Sequence, residues 1–278
     1  MRHGMLAADA HAHVFGEERV LHGRAIHFPA GTLIREMDRH GVDLALVIAR
    51  PSAQLGLDDL IQLHDRLAAE TQPYRARLAL AAWASPRLGR SGIRELDRTV
   101  GTLGFRAIKL HPEQDQFLLD DLAVDRCVEV AAEHGVPVVA HTALAVHGAE
   151  PWRLVRLAAR HPSVTFVMAH LGADGGMLQS LSAVELAADV DNVMVEGSAT
   201  VTDPSATYLE PARILGPERV LYGSNEPIHQ MALSLLKLDL VDLPREWREL
   251  VAARNLLRIL GLSDGSASPA VQRSGATV

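Results

Sequence analysis

Eight short apolar, β-branched runs recur along the chain at a nearly constant interval, and that rhythm limits the fold more than any single motif does. The runs end at His13, Ala49, Ala84, His111, His141, His170, Gly197 and Asn225, so neighbouring ends lie 36, 35, 27, 30, 29, 27 and 28 residues apart. This is close to the ~30 residues of one strand–helix–strand unit. Most runs are continuously apolar, as parallel strands are when helices cover one face and a barrel interior fills the other. The segments between them end in Gly41, Gly104 and Gly135, where a left-handed residue closes a helix. Pro151 stands where a helix can begin, with Trp152, Val155 and Ala159 spaced along one expected buried face. Trp247, Leu250, Val251, Leu257 and Leu260 form a last stripe, stopped by Gly261. Eight such units predict one α/β domain, a closed (β/α)₈ (TIM) barrel over residues 1–262. Residues 263–278 are rich in Ser, Gly and Ala and are expected to be a disordered tail. The rival, an open doubly wound sheet, would call for a Gly-rich turn after the first strand, which here ends in HAHVF.

Composition removes several classes of function. Only 4% of residues are aromatic and the net charge is −7, so neither stacking platforms for single-stranded nucleic acid nor a field attracting phosphate or anionic lipid is present. The start lacks the apolar core of a secretory signal, and no later stretch is long and apolar enough to span a bilayer. The single cysteine, Cys127, has no internal partner and reads as a small core residue. A cytoplasmic protein acting on a small molecule, with neither nucleic-acid nor membrane partners, is expected, alone or as a homodimer.

The chemistry concentrates at the strand ends. Fourteen histidines would produce about 0.7 His-x-His pairs by chance, so His11/His13 is informative only through its position. It closes the first strand, where alternation places Asp9, His11 and His13 on one face. His111, His141 and His170 close the fourth, fifth and sixth strands, and in a barrel these ends meet on the rim that carries active sites. Convergent neutral imidazoles are a usual way to hold a divalent ion that polarises a carbonyl and acidifies a water. His22 and His27 after the first strand and His147 after the fifth read as loop residues. His3, His40, His64, His134, His161 and His229 are assigned no chemistry.

The runs DAHAHVF, GFRAIKLHP, GVPVVAHT, FVMAHLG and LYGSNEP, in this order, resemble the successive signatures of the amidohydrolase superfamily, specifically its amidohydrolase-related branch. That branch holds small metal-dependent hydrolases and non-oxidative decarboxylases similar to aminocarboxymuconate-semialdehyde decarboxylase. The resemblance implies one divalent ion, Zn first with Mn or Fe as alternatives, held by His11, His13, His141 and the residue at Asn225. It makes His170 the acid or base. The family's eighth strand ends in an aspartate that ligates the ion and accepts a proton, whereas this chain reads Gly223-Ser224-Asn225-Glu226-Pro227.

Asn225 keeps a ligating oxygen but neither charge nor basicity. Three readings follow: His170 takes the proton; Glu196 or Glu226 replaces the lost carboxylate, Glu226 only if the backbone bends; or the barrel is catalytically silent, by nature or by engineering, and serves as a binding scaffold. Lys109 could be the carboxylated lysine that bridges two ions in binuclear relatives, or a buried cation paired with Glu196 or Asp9. His111 is placed beside the ligands or against substrate, and Trp83 against an aromatic substrate. The resulting expectation is hydrolysis of a C–N or C–O bond in a small organic molecule, with decarboxylation as the alternative.

Overall fold

The computed structural model describes residues 4–21, 23–51, 53–173, 177–200 and 203–263. Residues 264–278, expected to fray, and His3 and His22 lie outside the described residues. Eight strands form the sheet: β1 (Ala8–Ala12), β2 (Leu44–Ile48), β3 (Leu78–Ala84), β4 (Ala107–Leu110), β5 (Val138–Ala140), β6 (Phe166–Met168), β7 (Val193–Glu196) and β8 (Val220–Leu221). Each pairs in parallel with the next in sequence. The Ala10 N–H donates to Tyr222 O at 2.9 Å, and the Asn225 N–H to His11 O at 2.7 Å, so β8 returns to β1 and the barrel closes. Helices follow the strands around the outside, and Gly41 and Gly135 take φ of 73° and 64° to end two of them, as the sequence requires. No helix among the described residues is long and apolar enough to cross a membrane.

Strand alternation builds the platform for the site. Leu44, Leu46, Ala79, Ala81, Ala107, Val139, Val167, Met194 and Leu221 pack as one inner cluster with Leu256 and Leu257 of the last helix and Leu260 just past its end. The alternating positions Ala45, Val47, Ile108, Val138 and Val193 pack in the surrounding core. Two residues further along the inner series stand Lys109, His141 and Glu196, so a buried polar layer follows the apolar one by the two-residue period of a strand.

Three local readings change. The segment after β1 is a hairpin, Phe15–Leu21 paired antiparallel with Arg24–Phe28, where the sequence suggested a loop. The helix Pro151–Arg160 buries Leu154, Leu157 and Ala158, one position off the expected face. Trp152 turns instead toward the guanidinium groups of Arg153 and Arg156, 4.2 and 4.8 Å from its ring, an attraction of cation and π-face that outweighs the simple period. In β1 the register slips between Asp9 and Ala12, so Asp9 does not join His11 and His13 in the cavity. It accepts from Ser224 N at 2.9 Å and Ser224 Oγ at 2.5 Å, across the closing seam.

Candidate active site

At the C-terminal ends of the strands lies a cavity of about 300 Å³ walled by His11, His13, His111, His141, His170, Lys109, Trp83 and Asn225. These are eight of the ten site residues expected from sequence. Glu196 sits just beneath it. Glu226 does not reach it: its Oε2 accepts from the Met231 N–H at 2.6 Å and caps the helix Met231–Leu240.

Glu196 organises one side of the rim. Its Oε1 accepts from His11 Nδ1 at 2.7 Å, from Ser198 Oγ at 2.7 Å and from the His170 N–H at 3.2 Å, and its Oε2 accepts from the Ser198 N–H at 2.6 Å. With its own proton given to Glu196, Ser198 Oγ accepts from His170 Nδ1 at 2.8 Å. Both rings therefore carry their proton on Nδ1 and leave Nε2 as the lone-pair nitrogen, the arrangement by which a buried carboxylate orients metal-binding imidazoles. A side chain at Gly223 would place its Cβ 2.4 Å from Glu196 Oε2, so only glycine lets β8 pass this carboxylate.

His13 is fixed by a carbonyl. Its Nδ1 donates to Ile48 O at 3.1 Å, and Nε2 stands 2.9 Å from Asn225 Oδ1. Burial, the largest influence, holds its pKa down to about 3, so Nε2 is an acceptor facing an acceptor. The pair is favourable either with the amide turned to offer its N–H or with a cation between them, and 2.9 Å matches the span of two ligands each ~2.1 Å from one ion. Asn225 holds this position with φ 64°, as do His170 and Leu171 at 60° and 50° after β6, a left-handed geometry that asparagine tolerates better than most residues. Burial likewise lowers the pKa values of His11, His111, His141 and His170, which keeps the rings neutral.

The other side of the rim is unlike this. Lys109 is 1% exposed, and Lys109 Nζ, His111 Nδ1 and His141 Nε2 are buried without a hydrogen-bond partner. The expected pairing of Lys109 with Asp9 or Glu196 is not made, because Ser224 and the His11 N–H occupy Asp9 while His11, His170 and Ser198 occupy Glu196. Burial brings the Lys109 pKa down to about 7, against the raising pull of Glu196. His111 and His141 stack in parallel with centroids 4.0 Å apart, and Trp83 lies 5.4 Å behind His111. The Trp83 Nε1–H donates to Asp115 Oδ2 at 2.8 Å, so this ring supports the stack instead of offering an open face.

The residues present fit a divalent ion: imidazole nitrogens with lone pairs, two of them buried and unpartnered, converge on one basin. Sequence reasoning passed over Arg50, Glu113 and Ile228, and set aside His229, all of which line the cavity. Arg50 lies just past β2, so the strand-end rule applied to histidines could have found it, whereas Glu113 lies in the turn Pro112–Asp115 beyond β4, where that rule gives no direction. Cys127 is buried, and burial pushes its thiol up to about 12, consistent with a core residue.

With the amidohydrolase family profile matching residues 8–262, the chain belongs to that family. Several solved structures share its fold. A 5-carboxyvanillate decarboxylase from Novosphingobium aromaticivorans, complexed with manganese and 4-hydroxy-3-methoxy-5-nitrobenzoic acid, is 16% identical with a TM-score of 0.76, covering 93% of this chain and 97% of its own. The 2,6-dihydroxybenzoate decarboxylase from Rhizobium is 15% identical with a TM-score of 0.74, covering 94% and 99%. A TIM-barrel protein from Bordetella bronchiseptica is 16% identical with a TM-score of 0.67, covering 86% and 83%. No curated protein matches the chain.

Proposed function

We propose that this chain is a metal-dependent, non-oxidative decarboxylase of a small carboxylic acid. The observation that carries the reading is the charge of the cavity. Lys109 and Arg50 stand in a ring of neutral imidazoles, and among the described residues lining the cavity the only carboxylate is Glu113 at its edge. Such a wall receives an anion. The end of β8 offers an amide where hydrolysis in this family uses a base, whereas loss of CO₂ requires that a carboxylate be held and that a proton be given to carbon. The volume suits a one-ring molecule, and the decarboxylases that share the fold support the same chemistry.

In this reading His11, His13, His141 and Asn225 hold the ion. Zn follows from the donor types and Mn from the manganese-bound neighbour. The bound ion would supply positive charge to the substrate's carboxylate and its neighbouring oxygen. Lys109 holds a proton on Nζ close to neutrality and faces the cavity, which suits it to pair with the carboxylate or to protonate the carbon left behind. Trp83 keeps the His111–His141 stack rigid.

One observation favours hydrolysis as a second reading: His170, with Ser198 and Glu196 aligned behind Nδ1, is well placed to accept a proton at Nε2. Incubating Mn- or Zn-loaded protein with hydroxylated aromatic acids and, in parallel, with amides, esters and lactones separates the two. Release of CO₂ from an acid, lost in Lys109→Met and in His11→Ala/His13→Ala, is the expected result. Turnover of an amide or ester with no acid consumed would replace decarboxylation by hydrolysis.

A further inference from the structure

Asn225 at the end of β8 brings no negative charge to neutralise a dication, and the structure offers a carboxylate elsewhere on the rim. Glu113 lies two residues beyond His111, in the short turn Pro112–Asp115 that follows β4. One of its oxygens and one ring nitrogen from each of His111 and His141 lie within 4.8 Å of one another. Glu113 Oε2 stands 3.6 Å from His141 Nε2, outside hydrogen-bonding range. His111 and His141 are 6% and 7% exposed, yet His111 Nδ1 and His141 Nε2 have no partner. Leaving two such groups unpaired opposes folding. A cation at this point would take a ring nitrogen of each histidine and the carboxylate at once. The Glu113 side chain is 57% exposed, so it can swing inward without disturbing the core.

We propose that Glu113 is the anionic ligand of this protein's divalent ion, entering from the turn after β4 with His111 and His141 as its imidazole partners, and that it supplies the charge Asn225 lacks. The proposal rests on the divalent-ion reading above and adds the identity of the carboxylate. It also moves part of the coordination sphere from the β8 end of the rim to the β4 end, beside the cationic wall of Lys109.

Titrating metal-stripped full-length protein with Co²⁺, followed by its visible absorption and by calorimetry, tests this without any substrate. Glu113→Gln is expected to weaken binding at least about 10-fold, since groups that merely orient ligands already cost roughly 10–100-fold, and to change the absorption band. Glu113→Asp is expected to recover most of the affinity. Binding by Glu113→Gln within about twofold of wild type, an unchanged band and loss of the ion only in His11→Ala/His13→Ala would overturn the proposal while leaving the metal reading intact. A wild-type chain that takes up no Co²⁺ would overturn both.

Discussion

The two sides of the rim differ in how their polar atoms are used. On the β1, β6 and β7 side, one buried carboxylate, Glu196, satisfies His11, His170 and Ser198. On the β4 and β5 side, Lys109, His111 and His141 each keep a buried atom unpaired. Folding alone favours the first arrangement, since unpaired buried donors and acceptors oppose stability. The saturated side is therefore the part that holds its shape before any ligand arrives, and the unsaturated side is where a ligand has most to gain.

Breaking the saturated side has the largest expected effect. Glu196→Ala leaves the His11 Nδ1–H, the Ser198 N–H and Oγ–H and the His170 N–H without their acceptor, and should cost about 3–5 kcal/mol in urea unfolding as well as metal retention. A cost under about 1 kcal/mol would erase the contrast between the sides.

Next comes the foundation of the unsaturated side. His64 accepts from the Trp83 N–H at 3.1 Å and donates from Nδ1 to Glu95 Oε1 at 2.8 Å. Burial acts to raise the Glu95 pKa, but hydrogen bonds from His64, Arg98 and Thr99 outweigh it and hold the carboxyl at about 2, below its ordinary 4.5. A depressed carboxyl stabilises the fold fully above pH 4.5 and loses that contribution as the pH falls toward 2. Wild type should lose on the order of 2–3 kcal/mol over that window that Glu95→Gln does not lose. Parallel acid curves for the two would dismiss the linkage.

The smallest effect has the opposite sign. Lys109→Met removes an unpaired buried ammonium and should stabilise metal-free protein by about 1–3 kcal/mol. The gain should be greatest below pH 7, where the folded-state ammonium is charged, and should fade toward pH 10.5, where the unfolded lysine also loses its proton. A destabilised variant would mean that Lys109 is paired, and that the rim has no unsaturated side.

The barrel was legible because its signal is repetition: eight apolar runs and left-handed glycines such as Gly41 and Gly135 are local features that tertiary structure has little freedom to alter. The cluster at the strand ends followed from geometry once the barrel was granted. What escaped depended on pairing. Nothing local says that Ser224 takes up Asp9, that Glu226 turns to cap Met231, or that Lys109 has no carboxylate left to pair with. The register slip in β1 is equally invisible, because alternation assumes a regular ladder. Glu113 escaped for another reason: it lies beyond the strand, in a turn where side-chain direction no longer follows from period.

The seam that joins β1 to β8 ties the centre to the first and last strands of the barrel. Asp9 and Ser224 are 215 residues apart, and His13 meets Asn225 just beyond them. A chain emerging from the ribosome carries the histidine pair on the first strand of the barrel but acquires the eighth strand only after the other seven have been made. Full assembly of the pocket is thus a late event in biogenesis, and a prematurely terminated fragment lacking β8 would lack the Asn225 corner of the cavity however well its earlier units fold.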